Sequence, residues 1–146
     1  MQFCYFMLKQ TTMSDRQNIS SGAPWENIVG YSRAVRIGDQ LEISGTVAVD
    51  EKGVVGPGDY YAQTRYILKK IEGVLAQAGF SFNDVIRTRT YVLDISQWQA
   101  VGKAHGEVFR DIKPATSMIQ VSAFIEPEYL VEMEVTAVKR LAPTQP

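Results

Sequence analysis

Residues 116–124, Thr-Ser-Met-Ile-Gln-Val-Ser-Ala-Phe, carry no charge on either face of the extended chain they predict. Met118, Gln120 and Ser122 fall on one side, and Ile119, Val121 and Ala123 on the other. A strand with one face in water alternates apolar residues with strongly polar ones, and this segment does not. In residues 130–138, Val131, Met133, Val135 and Ala137 form one face and Glu132, Glu134, Thr136 and Val138 a mixed second face. Both segments therefore belong in a sheet that is covered on its two sides.

The rest of the chain supplies one of those covers. Residues 31–37 predict a strand, Gly38-Asp39 a tight hairpin turn, and residues 40–49 a returning strand with Leu41, Ile43, Gly45 and Val47 inward. A turn is expected before them at Ser21-Gly22-Ala23-Pro24 and another after them at residues 50–53. Gly56-Pro57-Gly58-Asp59 opens a helix whose stripe is Tyr61, Thr64, Leu68, Ile71, Leu75 and Ala78, with Gly79 suited to its C-terminal stop. Residues 84–93 predict a strand that alternates Ile86, Thr88, Thr90 and Val92 with Arg87, Arg89, Tyr91 and Leu93. Ser96 is placed to cap a second helix with the stripe Trp98, Val101, His105, Val108 and Phe109, broken by Lys113-Pro114. Two helices cover one face of one sheet, so another subunit is expected on the other face.

At 146 residues, 45% hydrophobic and 21% charged, the chain suits a single folded domain. The domain is expected over residues 20–140, with a C-terminal tail at 141–146. Residues 1–19 are expected to be an extension outside the packed domain or, alternatively, an added strand or anchor against a partner subunit. The apolar run Phe3–Leu8 is too short to span a membrane. It also lacks the basic flank and cleavage pattern of a signal peptide, which makes the cytoplasm the expected location. One cysteine and one histidine exclude an internal disulfide and a site built from Cys and His ligands, so no metal is expected. Cys4 has no neighbouring base to make it a nucleophile.

Net charge is −1, and Lys69-Lys70, Arg87 with Arg89, and Lys139-Arg140 are scattered among acids, which argues against a nucleic-acid partner. No phosphate-cradling loop with its lysine occurs, nor a glycine-serine nucleophile elbow, and no cofactor is implied. Carboxylates and hydroxyls remain as the chemistry-bearing groups. Glu132 interrupts an apolar run, where a carboxylate requires a pocket, an ion-pair partner or exposure to water. His105 lies on or beside the buried helical stripe, where packing and acid–base work are both open to it.

Six short segments resemble the RidA family, also called YjgF and formerly endoribonuclease L-PSP. They are Gly30-Tyr31-Ser32-Arg33-Ala34-Val35, Ser44-Gly45-Thr46, Ala62-Gln63-Thr64-Arg65, Asp84-Val85-Ile86-Arg87-Thr88, Pro114-Ala115-Thr116-Ser117 and Val131-Glu132-Met133-Glu134, spanning residues 30–139. The resemblance implies an α+β, chorismate mutase-like fold, a mixed β-sheet with two helices packed on one face. It also implies a barrel-like homotrimer with small-molecule pockets at the subunit interfaces. Deaminase members of that family hydrolyse 2-imino and 2-enamino acids to 2-oxo acids and ammonia, gripping the substrate carboxylate with an arginine in a Pro-x-Arg-Ser segment.

Thr116 stands at that arginine's position, and losing such a bidentate contact costs on the order of 2–5 kcal/mol of binding. Tyr31 and Ser44 match pocket-lining residues, and Glu132 matches the glutamate that positions the hydrolytic water. The family's helix asparagine falls at Gly102, and a tyrosine one turn later at His105. Arg33 and Arg89 replace uncharged family residues and are candidates to supply the missing guanidinium. The expected site is thus Glu132 and Tyr31 as catalytic groups, with Ser44, Arg33, Arg89, His105, Thr116 and Ser117 binding substrate. The expected reaction is hydrolysis of an imine, enamine or related activated electrophile; the alternative is non-catalytic metabolite binding in the same pocket.

Overall fold

In the computed structural model, which describes residues 15–140, a six-stranded sheet runs in the order β1-β2-β3-β8-β6-β7. The strands are β1 (Arg16–Ile19), β2 (Ala34–Ile37), β3 (Gln40–Val47), β6 (Val85–Val92), β7 (Ala115–Gln120) and β8 (Val131–Val138), with β4 (Val49–Asp50) and β5 (Gly53–Val54) forming a small separate hairpin. Only the β6–β7 pair is parallel, as expected for two strands joined across the helix α3 (Trp98–Phe109). The long helix α2 (Tyr60–Gln77) packs beside α3 against the same sheet face. The α+β fold with two helices on one side of a mixed sheet agrees with the sequence expectation.

Local chemistry sets the ends of α2. The Asp59 carboxylate accepts from the Ala62 N–H at 2.9 Å, satisfying one of the free donors at the helix start. At the other end Gly79 adopts φ 79°. Its N–H reaches Ala76 O at 3.0 Å and the Phe80 N–H reaches Leu75 O at 2.8 Å, the paired bonds of a Schellman stop. Between these ends Ile67, Leu68, Ile71 and Leu75 pack with Leu41, Ile43, Val101, Met133 and Val135 in the core. Each such side chain removed from water contributes roughly 1.5–3 kcal/mol.

Several details depart from the sequence expectations. Pro24 begins a short helix α1 (Pro24–Val29) rather than closing a turn, because its fixed φ suits a first helical turn. Arg16–Ile19, expected outside the domain, form edge strand β1 against β2; residues 1–14, including Cys4, and the tail 141–146 lie outside the described residues. The α2 stripe includes fully buried Gln63, whereas Tyr61 lies half-exposed. Gln63 donates to Glu128 O at 2.9 Å and accepts from the Leu130 N–H at 2.9 Å, so its amide replaces backbone partners and is buried without an orphaned group. Ser96 does not cap α3; a 3₁₀ turn at Ile95–Gln97 precedes the helix, and Asp94 accepts from the Ser96 N–H. Residues 121–124 leave the sheet, and β7 ends at Gln120.

A register shift between Ile43 and Thr46 on β3 has the largest consequence for the site. The bulge turns Thr46 and Ala48 into the core in place of the expected Gly45 and Val47. Gly45 is thereby released from the core alternation.

Candidate functional site

The sheet face away from the helices carries a polar lattice set by strand register. Glu132 on β8 lies between Val47 of β3 and Tyr91 of β6, and Glu134 lies opposite Arg89, which in turn lies opposite Ser117. The Tyr91 hydroxyl donates to Glu134 at 3.0 Å, and Arg89 pairs with the same carboxylate at 3.6 Å. Thr136 donates to Glu42 at 2.8 Å. Arg89 is therefore engaged by Glu134 and sits beside Ser117, not Thr116.

Among the described residues Glu132 has no such direct partner. Its carboxylate rests against the α-carbon of Gly45, in space that a Cβ on Gly45 would occupy. Glycine inside a strand commonly marks such a close approach, and this is the functional signal that the sequence alternation concealed. Burial raises the Glu132 carboxyl above the usual range; Arg33 opposes the rise and Glu134 adds to it. The result is a half-buried carboxylate of increased basicity, suited to hold a water or accept its proton.

Arg33 completes this corner. Its Nη2 donates to Gly45 O at 2.6 Å, while its Nε is buried without a hydrogen-bond partner among the described residues. Burial lowers its proton affinity, and Tyr31, Glu26 and Glu132 support its charge. Tyr31 is partly exposed just beyond α1, and its N–H donates to Glu26 O at 3.0 Å. Glu26 is itself held by the hydroxyls of Ser20 and Ser21, each at 2.6 Å, and by the Ser21 N–H at 2.8 Å. This cluster fixes the start of the Tyr31 loop. The Ser44 hydroxyl donates to Ser32 O at 2.7 Å, which leaves its oxygen lone pairs available.

The remaining candidates lie elsewhere. His105 on α3 is half-buried, tilted against the Phe109 ring at 4.6 Å, and burial lowers its proton affinity. Its Nε2 is 2.9 Å from the hydroxyl of buried Thr88, which is 2.8 Å from the hydroxyl of exposed Thr116. Thr88 and Thr116 are register partners on the helix-facing side of β6 and β7. Glu132 and Thr116 are thus two strands apart and on opposite faces of one sheet, and a single chain does not bring them together. A groove of about 800 Å³ lined by Val55, Ala62, Arg65, Tyr66, Phe82 and Val108 contains none of these residues. It is also remote in chemistry from the carboxylate corner. Among the described residues no helix is long and apolar enough to cross a membrane, and no cluster of three acidic, histidine or cysteine side chains could hold a metal.

A mixed sheet with two helices on one face and a seated carboxylate on the other defines an α+β protein of the chorismate mutase-like class. The family model described as Endoribonuclease L-PSP matches residues 22–139, and the chain belongs to this family, that of the RidA, YjgF and RutC proteins. The chain is 36% identical over 121 residues to the uncharacterized protein SCO2049 of Streptomyces coelicolor, covering 83% of this chain and 90% of that protein. It is 32% identical over 104 residues to the 3-aminoacrylate deaminase RutC of Acinetobacter baylyi, covering 70% and 82% respectively. The crystal structure of Rv2704 from Mycobacterium tuberculosis, described as a YjgF/YER057c/UK114 family member, superposes with a TM-score of 0.77 at 47% identity. That superposition covers 85% of this chain and 99% of the other.

Proposed function

We propose that the chain assembles as a homotrimer whose interface pockets hydrolyse a small imine or enamine that is less dependent on a carboxylate than 2-imino acids are. The observation that carries this reading is the Glu132 carboxylate, half-buried and seated on Gly45 without a direct hydrogen-bond partner among the described residues. Glu132 orients water toward the electrophilic carbon, and Tyr31 and Ser44 contribute hydroxyls around it. The Thr116 hydroxyl and backbone groups near Thr116 and Ser117 hold the far side of the substrate from the neighbouring subunit. The opposite-face placement of Glu132 and Thr116 supports a pocket shared between copies, because the open face of one chain must meet the β7 edge of another to join them. Similarity to a 3-aminoacrylate deaminase, whose substrate is an enamine, supports the reaction class.

The test generates imines with an amino-acid oxidase, or an enamine with a dehydratase, and follows their loss by semicarbazide trapping. Acceleration by the parent and its loss in Glu132→Gln are expected; no acceleration with any imine or enamine overturns the hydrolase reading. Non-catalytic metabolite binding is favoured by one observation, the neutral threonine where the family resemblance implies an arginine. Under that reading the parent binds its ligand and shows no turnover.

A further inference from the structure

The only histidine of the chain is joined to the exposed Thr116 through a buried hydroxyl. The links are 2.9 Å from His105 Nε2 to Thr88 Oγ1 and 2.8 Å from Thr88 Oγ1 to Thr116 Oγ1. Each threonine hydroxyl has one proton, so the chain of bonds has a single polarity at any moment. If Nε2 carries a proton, Thr88 accepts from it and donates to Thr116, whose own proton then points outward. If Nε2 is bare, Thr88 donates to the imidazole and accepts from Thr116, which then presents only lone pairs. The state of a half-buried ring is written on an exposed hydroxyl.

We propose that Thr116 is the ligand-facing end of a relay, His105–Thr88–Thr116, that presents a neutral hydrogen-bond donor to a carbonyl oxygen where a charged fork would grip a carboxylate. The proposal rests on the reading that a ligand occupies the pocket at Thr116, and it adds the substrate class and two positioning residues, Thr88 and His105. A carbonyl ligand selects the Nε2–H tautomer. If a proton also moves, the ring must start as the imidazolium: one proton leaves Nε2, each hydroxyl gives one and receives one, the ligand gains one, and the ring is left neutral with its proton on Nδ1. Thr88 is fully buried and faces α3, which shields the middle link from competition by water.

The charged groups on the surrounding elements are Lys103 and Glu107 on α3, Arg110, Asp111 and Lys113 beyond it, Arg65 (paired with Glu107 at 3.4 Å), Lys69, Lys70 and Glu72 on α2, and Arg87 and Arg89 on β6. Strand alternation sends the two β6 arginines to the opposite sheet face. None of these groups shifts the imidazole, whose lowered proton affinity comes from burial alone.

With a single histidine, long-range proton–nitrogen NMR correlations report the tautomer and titration of His105 without assignment ambiguity. The relay predicts that Thr116→Val, although it does not touch the ring, shifts the Nε2 resonance and the titration midpoint in the direction seen for Thr88→Val. Thr116→Ser restores the parent values. Pyruvamide, a neutral carbonyl probe, shifts the Nε2 resonance in the parent and not in Thr116→Val. A Thr116→Val protein that keeps its folded amide spectrum and the parent imidazole signals overturns the relay. A parent imidazole unmoved by saturating pyruvamide, or moved only by pyruvate, overturns the carbonyl assignment. None of these readings requires turnover, so a failure of the hydrolase assay and a failure of the relay are separate results.

Discussion

Gly45→Ala isolates the positioning of the Glu132 carboxylate from its chemistry. A Cβ on Gly45 would lie 2.8 Å from the Glu132 carboxyl carbon and 3.2 Å from its Cγ, with Oε1 as the first atom met. Carbon–carbon contact begins near 3.5 Å, so the carboxyl carbon must retreat by roughly 0.7 Å and Oε1, the nearest atom, by more than about 1 Å. Gly45 is not among the residues at positive φ, and alanine there carries no left-handed penalty. Reduced freedom of the unfolded chain stabilises by about 0.4–1 kcal/mol, while crowding costs about 1–3 kcal/mol. The atoms that must give way are the far end of a flexible side chain, so the net loss is expected below about 2 kcal/mol. A displacement near 1 Å at a reacting group costs up to about 100-fold in rate. The variant is therefore expected to fold, to lose about two orders of magnitude in kcat by imine trapping, and to show an altered Glu132 titration by carboxyl carbon NMR. Parent turnover together with parent titration would refute the seat and leave Gly45 as a device of the bulge alone.

Glu132→Gln carries opposite signs for function and stability. A carboxyl raised by burial binds protons more tightly in the folded chain, so stability is greatest below the unfolded value and falls as pH rises toward the folded one. The glutamine variant is expected to be more stable than the parent at neutral pH, with the difference closing well below the ordinary value of 4.5 in denaturant titrations. Glu26 has the reverse sign: hydrogen bonds from Ser20 and Ser21 lower it, so its contribution is present above 4.5 and disappears as pH falls through the folded value. Loss of protection of the Ser21 N–H in acid, measured against its intrinsic exchange rate, and a flattened acid limb in Glu26→Gln, would register this. Gln63→Leu leaves the Leu130 N–H and the Glu128 carbonyl without their partner. The expected loss is about 1–3 kcal/mol per orphaned group in urea unfolding. Light scattering at micromolar concentration is expected to return three times the 16.3 kDa chain mass; a monomeric mass would contradict the shared pocket.

The elements most legible in the sequence were those whose signals were local. Asp59 and Gly79 bracket α2 because capping and stopping chemistry depend on the few residues around each helix end. The alternation of residues 87–92 agrees with the sequence pattern, since Thr88, Thr90 and Val92 are buried while Arg87, Arg89 and Tyr91 are half-buried. Ile86, expected on the same face as Thr88, is exposed and Val85 is buried instead, because the β6–β8 register shifts between Val85 and Arg87. What escaped was set by partners distant in the chain. Gln63 enters the core because loop groups 65 and 67 residues away supply its hydrogen bonds. Gly45 leaves the core because β3 bulges against β8 between Ile43 and Thr46. In the sequence Thr88 shares a strand face with Ile86, Thr90 and Val92, and only the packing of α3 over β6 shows its hydrogen bonds to His105 and Thr116.

The two halves of the candidate site follow different physical rules, and this bears on what the pocket accepts. The carboxylate half keeps its charges, with Glu132 and Arg33 close enough to shift each other's protons. The Thr116 half is neutral, and its polarity is borrowed through hydroxyls from an imidazole whose charge is suppressed by burial. A charged carboxylate ligand placed there would meet the neutral Thr116 hydroxyl in place of a guanidinium, and desolvating it without a direct countercharge is costly. A carbonyl needs only the donor. If the open face of one copy meets the β7 edge of another, the ligand spans a charged wall and a neutral one. Water is then placed by Glu132 at the electrophilic carbon, while the Thr116 hydroxyl bonds an uncharged oxygen. Exchanging Thr116 for arginine should therefore move preference toward carboxylates and simultaneously release His105 from its tautomer coupling. Both changes are measurable on one protein, and either without the other would separate specificity from the relay.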